Sequence, residues 1–417
     1  MQAPFGQDSF FFPPELSGQG VSWAGSGLLL PRGFRAAAAE AGLRGKRLDC
    51  ALLVSDEPAE SAGVFTRNLV KAAPVLLCLR RVGKFPFRAL VVNSGVANAC
   101  TGSEGLEAAE RVAARIASLL ACEPEQVLVA STGVIGQPLP VEKIERVLPQ
   151  LWDSLGRERG LDFARAIMTT DTRPKEAAVW VELSGGAVAI GGVAKGAGMI
   201  HPQLATMLAF LTTDARVPAR DLQTFLGEAV EPTFNSITVD GDSSTNDTVL
   251  LLANGASGVA LQTDEDRRRF RAGLLAVCTS LARQIVADGE GATKRVIIRI
   301  DGAADPHQAQ QVGKCIAQSL LVKTAIAGGD ANWGRIVSAA GASGVVFDPE
   351  RICLSLDGVT VFRMGRPVEV PPETENRIFA GPTVLIELWL GQGSASWTVY
   401  TCDLTEEYVR INAHYRS

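Results

Sequence analysis

Residues 195–214 read KGAGMIHPQLATMLAFLTTD. The small residues Gly196, Ala197 and Gly198 lead through Pro202 to Ala205, Thr206 and Met207, and an apolar, helix-like run follows. Glycine admits backbone conformations closed to other residues, so a strained turn is accessible ahead of Thr206. A self-cleaving chain needs those parts in that order: a strained turn, a hydroxyl nucleophile, and a rigid element that holds the new N-terminus. A threonine freed at its own amino group carries nucleophile and base on one residue. Taken by itself, a threonine in a glycine-containing loop is a turn residue, so the decision rests on the rest of the chain.

A length of 417 residues allows two or three domains, each with its own core. Hydrophobic residues make up 47% and charged residues 20%, as in an ordinary globular protein. The net charge of -5 argues against nucleic acid or an anionic membrane as partner and leaves small charged metabolites. Eight cysteines stand at 50, 78, 100, 122, 278, 315, 353 and 402 without a CxxC pair, so no zinc or thioredoxin-like centre is signalled. Their low density suits a reducing cytoplasm better than a disulfide scaffold. With only His201, His307 and His414 available, histidine-based metal or triad chemistry is disfavoured. The N-terminus lacks the basic start and apolar core of a signal peptide, and no uninterrupted apolar stretch suggests a transmembrane helix.

Short apolar runs at 50–54, 75–79, 89–92 and 127–130 are bounded by charge, proline or glycine and read as buried strands. Residues 104–120 and 141–155 carry apolar positions at helical spacing. The alternation implies an α/β architecture. Residues 176–193 read as a hairpin, 222–230 and 264–288 as helices, and 248–254 as a strand between them. Residues 295–300 alternate as a strand and suit the start of a second domain, followed by a helix at 309–326 and strands at 352–356, 359–362, 383–390 and 396–404. The resulting division is a loosely ordered leader (1–24), a main α/β domain (25–290), a smaller α/β domain (291–404) and a tail (405–417).

Two loops, Asn93-Ser94-Gly95 and Ser131-Thr132-Gly133, follow apolar runs as strand-then-glycine turns. Backbone N–H groups in such turns can face a developing negative charge, although a tight turn or helix start fits the same spacing. Neither is a P-loop or a dinucleotide fingerprint. Residues 238–248, TVDGDSSTNDT, lack the closing glutamate of an EF-hand, because Leu251 stands there, and read as a hydrogen-bonded turn network. Glu290, between Gly289 and Gly291, suits a substrate amine or proton transfer, or else a solvated turn. Residues 323–325, KTA, and 330–335, DANWGR, frame a short loop, and 408–417, YVRINAHYRS, read as an ordered tail.

Taken in order, 63–68, 93–95, 131–136, 168–172, 195–213, 238–248, 288–294, 332–335 and the terminal Asn412 and Ser417 resemble the ornithine acetyltransferase family, also called glutamate N-acetyltransferase. The resemblance runs from around Ser26 to Ser417. It implies an αββα-type sandwich of the N-terminal-nucleophile kind with a smaller α/β C-terminal domain. It further implies one precursor whose catalytic domain cleaves itself between Ala205 and Thr206. By similarity, Thr206 attacks the acetyl carbonyl of N-acetylornithine, with its freed α-amine, of ordinary pKa near 8, as base. Thr132 and Gly133 would stabilise the oxyanion, a contribution of about 3 kcal/mol. The acetyl group then passes from Thr206 to glutamate.

Thr170, Lys195, Glu290, Asn412 and Ser417 carry over as substrate-binding positions, with Lys195 suited to an α-carboxylate and Glu290 to the cationic side chain of ornithine. The tail would reach back into the site. The resemblance also implies an α2β2 assembly of cleaved chains, a cytoplasmic place in arginine biosynthesis, and no metal or cofactor. Acetyl-CoA is a candidate second donor, since members that use it share the acyl-enzyme machinery. Ala331 stands where the family commonly has proline, and the leader has no counterpart. Two alternatives stay open: a self-processing aminopeptidase or amidase, in which water resolves the acyl-enzyme, and an unprocessed binding protein.

Overall fold

The computed structural model describes residues 8–18, 20–25, 27–201 and 207–414. The first region holds strands β1 (Val21–Ala24), β2 (Phe34–Ala39), β3 (Cys50–Phe65), β4 (Phe87–Val96), β5 (Val127–Val134), β6 (Lys175–Leu183), β7 (Gly186–Lys195), β8 (Leu208–Thr213) and β9 (Thr248–Ala253). Its helices are α1 (Ala73–Arg81), α2 (Gly102–Leu120), α3 (Val141–Asp153), α4 (Gly160–Ala166), α5 (Ala219–Val230) and α6 (Asp264–Ala287). The strands join in the order β1-β6-β7-β8-β9-β3-β4-β5, with β2 added on β3.

The long strand β3 serves two half-sheets. Its first part pairs with β2 and β4, its last part pairs with β9, and the register breaks between Val54 and Ala59. The halves therefore stack. Phe210 and Leu250 face a core shared with Phe34, Leu52 and Leu90 of the other half. Leu211 and Leu251 face the opposite core, with Leu226 of α5 and Leu281 of α6. Helices α1 and α2 cover the β4–β5 side, α5 packs on β3 and β9, and α6 packs on β6 and β7. The layers are helix, sheet, sheet, helix: an αββα sandwich.

The run after residue 206 is strand β8, not the helix-like element expected. All six of its residues are buried, as are all six of β9, its parallel neighbour. A strand buried on both faces loses the alternation that would mark it and reads as a continuous apolar run. The reverse error occurs at 75–79, expected as a strand but lying in α1. There Pro74 occupies the first turn, and Leu76 and Leu79 are exposed while Val75, Leu77 and Cys78 are buried.

The leader is also corrected for residues 8–18 and 20–24. Phe10 and Phe11 are buried, β1 pairs antiparallel with β6, and Phe12 meets Trp23 edge-on at 5.0 Å. The Arg283 guanidinium donates to the Phe10 carbonyl at 2.9 Å and to the Tyr400 hydroxyl at 2.7 Å. Aromatic rings and a guanidinium supply the apolar area and cation–π contacts that a loose leader lacks.

The second region contains β10 (Arg295–Ala303), α7 (Pro306–Gln318), α8 (Leu320–Ala327), α9 (Trp333–Gly341), β11 (Cys353–Leu356), β12 (Val359–Arg363), β13 (Arg366–Pro367), α10 (Pro372–Glu375), β14 (Thr383–Trp389), β15 (Ala395–Cys402) and α11 (Glu406–His414). Its six strands run in the order β13-β12-β11-β14-β10-β15. The single helix expected at 309–326 is two, because Ser319 ends α7 and its hydroxyl accepts the Val322 N–H to cap α8. In 330–335, the Asn332 side chain caps α9. Helix α6, 24 residues long, is apolar enough by composition to cross a membrane, but 72% of its most apolar window is buried inside the fold.

Candidate active site

Thr132, Gly133, Thr170, Lys195, Glu290 and Asn412, far apart in sequence, line one cavity of about 130 Å³. Ala205, Thr206 and Ser417 lie outside the described residues. Met207, bonded to Thr206, is buried where β8 begins.

The two glycine motifs are not turns or helix starts. They lie within the parallel strands β4 and β5, with Gly95 opposite Gly133. Gly133 has φ +130°, and a Cβ there would sit 2.3 Å from the Gly95 carbonyl carbon. Glycine at 133 is what allows the two backbones to approach so closely. Asn246 secures this wall by donating from Nδ2 to the Ala97 carbonyl at 2.6 Å and to the Ser131 carbonyl at 2.8 Å. Thr132 is thus buried beside the cavity, its Oγ1 3.3 Å from Lys195 Nζ.

Lys195 ends β7 with 1% exposure. Burial pulls its ammonium below the usual lysine value, against the opposing pull of the Asp171 carboxylate. A second buried lysine underpins it. Lys175 Nζ donates to Asp171 Oδ1 and to Asp288 Oδ2, both at 2.6 Å. Asp171 also accepts the Gly196 N–H at 2.6 Å and the Thr169 N–H at 2.9 Å, and Asp288 accepts the Thr172 N–H at 3.0 Å. Burial alone would raise the Asp171 carboxyl, but Lys175 and Lys195 outweigh it and hold it well below the usual carboxylate range. One ion-pair cluster therefore ties together the Thr170 loop, the end of β7 and the turn that carries Glu290.

Glu290 faces the cavity from that turn, and its N–H donates to the Ala197 carbonyl at 2.9 Å. A Cβ on Gly198 would lie 2.4 Å from the Glu290 carboxyl carbon, so glycine is what lets the acid approach this backbone. The C-terminal helix α11 closes the other side. Asn412 Nδ2 donates to Glu290 Oε2 at 2.7 Å, and the Tyr408 hydroxyl donates to Asp240 Oδ2 at 3.2 Å. Asp240 also accepts the Ile200 N–H at 2.9 Å. Burial pushes its carboxyl up to about 6, against its backbone hydrogen bonds.

The acidic segment 238–248 is a hydrogen-bonded wall, and among the described residues no cluster of His, Cys, Asp or Glu suits a metal ion. Spacing alone does not single out Lys175, Asp240, Asp247 or Tyr408. The one available signal was the i,i+4 separation of Asp171 and Lys175; the link to Asp288 is purely tertiary.

Chemically, the cavity offers a buried cation and a carboxylate–amide pair along its walls, with the Thr132–Gly133 backbone beside them. That arrangement suits a small substrate carrying both a carboxylate and a cation. The arginine biosynthesis bifunctional protein ArgJ of Symbiobacterium thermophilum is 46% identical over 402 residues, covering 95% of this chain and 100% of that protein. The protein of the same name from Thermosynechococcus vestitus is 45% identical over 408 residues, covering 93% of this chain and 97% of that one. Among solved structures, ArgJ from Bacillus halodurans is 41% identical, covers 49% of this chain and 98% of its own, and superposes with a TM-score of 0.48. Residues 35–417 match the ArgJ family throughout, and the chain belongs to that family.

Proposed function

We propose that this chain is a glutamate N-acetyltransferase of arginine biosynthesis that moves acetyl from N-acetylornithine to glutamate through an acetyl-Thr206 ester. The observation that carries the reading is the pairing of Lys195 with Glu290 and Asn412 in one cavity bordered by Thr132 and Gly133. Lys195 takes the substrate α-carboxylate, and Glu290, oriented by Asn412, takes the side-chain ammonium of ornithine. Thr170 lines the same wall, and Ser417, which lies outside the described residues, belongs to the proposed binding set by resemblance alone.

The reaction begins with cleavage of the Ala205–Thr206 bond, which frees the Thr206 α-amine. The amine accepts the Oγ proton as Oγ attacks the acetyl carbonyl, and the oxyanion forms against Thr132 and Gly133. The proton passes to the departing ornithine nitrogen as the C–N bond breaks. Glutamate then attacks the ester through its amine, and Thr206 is released as the hydroxyl. No cofactor enters, and acetyl-CoA serves only as a second donor to the same ester.

Cleavage leaves the two chains joined. Strand β7 lies before the cleaved bond and β8 after it, and they pair along their length from Ile190↔Thr213 to Lys195↔Leu208. The further association into α2β2 is part of the proposal, tested by a native mass of twice 44.0 kDa. The cytoplasm is proposed as its compartment, and the eight unpaired thiols agree with a reducing one.

The test is an assay of purified, cleaved protein with N-acetylornthine plus glutamate, then acetyl-CoA plus glutamate. N-Acetylglutamate and ornithine in equal amounts support transfer. Free acetate in place of N-acetylglutamate would make the chain a hydrolase of the same fold.

A further inference from the structure

The proposed transfer requires one cavity to accept two opposite side chains. N-Acetylornithine brings an ammonium to the end that Glu290 lines. Glutamate brings a carboxylate to the same end, because Lys195 is the cation open to the α-carboxylate of both. Among the described residues that line the cavity, Lys195 stands against three carboxylates, Asp240, Asp242 and Glu290. That balance suits the ammonium and repels the γ-carboxylate. Carboxylates brought together in a buried site do not all stay ionised, so one of them takes a proton.

Asp240 and Tyr408 are placed to carry that proton. The Tyr408 hydroxyl, on α11, donates to Asp240 Oδ2 at 3.2 Å, and Tyr408 lines the cavity with Glu290. A hydroxyl has one hydrogen and two lone pairs. While the hydrogen points at Asp240, the oxygen offers the cavity only lone pairs. The Asn412 amide has no hydrogen to spare, since Nδ2 donates to Glu290 Oε2 at 2.7 Å and to the Tyr408 carbonyl at 3.0 Å. The Met199 and Ile200 N–H groups hold the Asp240 carboxyl in place.

The groups that face Asp240 are Asp242 on its own segment, Tyr408 on α11 with Glu290 beyond it, and the Cys402 thiol at the end of β15. All are acids. Past Asp242 stands His201, whose imidazole burial holds below its usual value. Burial raises the Asp240 carboxyl to about 6, with Asp242 adding to it and the backbone hydrogen bonds opposing. Burial and the same acids push the Tyr408 hydroxyl well above its usual value. Asp240 therefore exchanges its proton near neutral pH, and Tyr408 keeps its own.

We propose that Asp240 and Tyr408 form a reversible donor–acceptor pair that lets one cavity take both side chains. With N-acetylornithine, Tyr408 donates to ionised Asp240, and its oxygen accepts the ammonium. With glutamate, Asp240 takes a proton from solvent and donates it to the Tyr408 oxygen, and the Tyr408 hydrogen turns to the γ-carboxylate. The proton returns to solvent when the ligand leaves. Tyr408 touches the substrate, and Asp240 is a positioning residue that acts through it. The inference deepens the proposed function and rests on it.

The test sets two acetyl donors, N-acetylornithine and N-acetylglutamate, against each other in one solution. Ornithine is the common acceptor, and the two acetyl groups carry different isotopes. The donors share the acetamide and the α-carboxylate, so the ratio of their kcat/KM values reports the side-chain end alone. Neither donor titrates between about pH 6 and about 8. In wild-type enzyme the ratio should shift toward N-acetylornithine about tenfold per pH unit over that range, the slope of one proton. Asp240→Asn should make the ratio independent of pH. Tyr408→Phe alters a helix with no buried residue, and should cut the slope below about threefold per unit. It decides the matter alone if Asp240→Asn does not fold.

A flat ratio in wild-type enzyme, or a slope that stays near tenfold in either folded variant, overturns the inference alone. Wild-type enzyme that exchanges acetyl from neither donor refutes the proposed function, and the inference falls with it.

Discussion

The two sheets bury charge in opposite ways. Around the cavity, Lys175, Lys195, Asp171, Asp247 and Asp288 are each at most 8% exposed. Beneath the second sheet, the core is aliphatic and aromatic, with Val296, Ile298, Ile300, Leu354, Ile386 and Leu388 fully buried. The buried cation at its edge, Lys323, donates to the Thr401 hydroxyl at 2.9 Å and to the Cys402 carbonyl, neutral oxygens both. Burying an ion costs several kcal/mol unless a partner offsets it. The first region meets that cost where a reacting site needs fixed charges, and the second has no such need. The difference locates the chemistry independently of any motif.

The largest expected effect tests which region carries function. Thr206→Ala should abolish both self-cleavage and acetyl transfer, read as one 44.0 kDa band on a denaturing gel and no N-acetylglutamate. Retained transfer would remove Thr206 as nucleophile. Next comes the ion cluster. Lys175→Met leaves Asp171 and Asp288 buried without their shared cation and should destabilise the fold by about 3–5 kcal/mol, measured as a lower urea midpoint. Adding Asp171→Asn and Asp288→Asn to that variant should restore most of the stability without restoring transfer, since neutral side chains hold Gly196 and Thr169 less firmly. Full recovery of activity would reduce the cluster to a packing element.

Much of this comparison was legible in the sequence, and its gaps have physical causes. Thr132, Gly133, Lys195, Glu290 and Asn412 are recognisable through the family resemblance rather than through local spacing, and they do meet in one cavity. The helix at 104–120 was legible because one face is buried and the other exposed, which leaves its period in the sequence. Strand β8 was misread because both faces are buried, which erases that period. The leader was misread because its stability comes from Arg283 and Arg295, more than 270 residues away along the chain. Likewise the gap of 113 residues between Lys175 and Asp288 leaves no local trace. What the fold alone creates, a pairing across distant elements, has no pattern to read.

Smaller effects sharpen the contrast. In the second region, Ile386→Val removes one buried methyl group from a core without ions and should cost about 1 kcal/mol while leaving transfer rates at the wild-type level. A change in KM for either substrate would mean that the second sheet reaches the site through more than its tail.

The smallest effect concerns acids that the first region leaves without a close cation. Burial pushes the Glu176 carboxyl up from 4.5 to about 7, with Arg165 opposing weakly. Its folded-state pKa therefore lies above its unfolded one, and the fold binds a proton that the unfolded chain has already lost. The stability Glu176 contributes is fully present below about pH 4.5 and is lost as pH rises through about 7. Glu176→Gln fixes the neutral form, so variant and wild type should unfold at similar temperatures near pH 4.5, with the variant ahead above pH 7. Part of the slope should survive in the variant between about 4 and about 6, because Asp240 is raised from 3.8 to about 6 for the same reason. A variant no more stable than wild type at pH 8 would mean that Glu176 has a cation after all, and that the first region pairs its charges more completely than its buried carboxyls indicate.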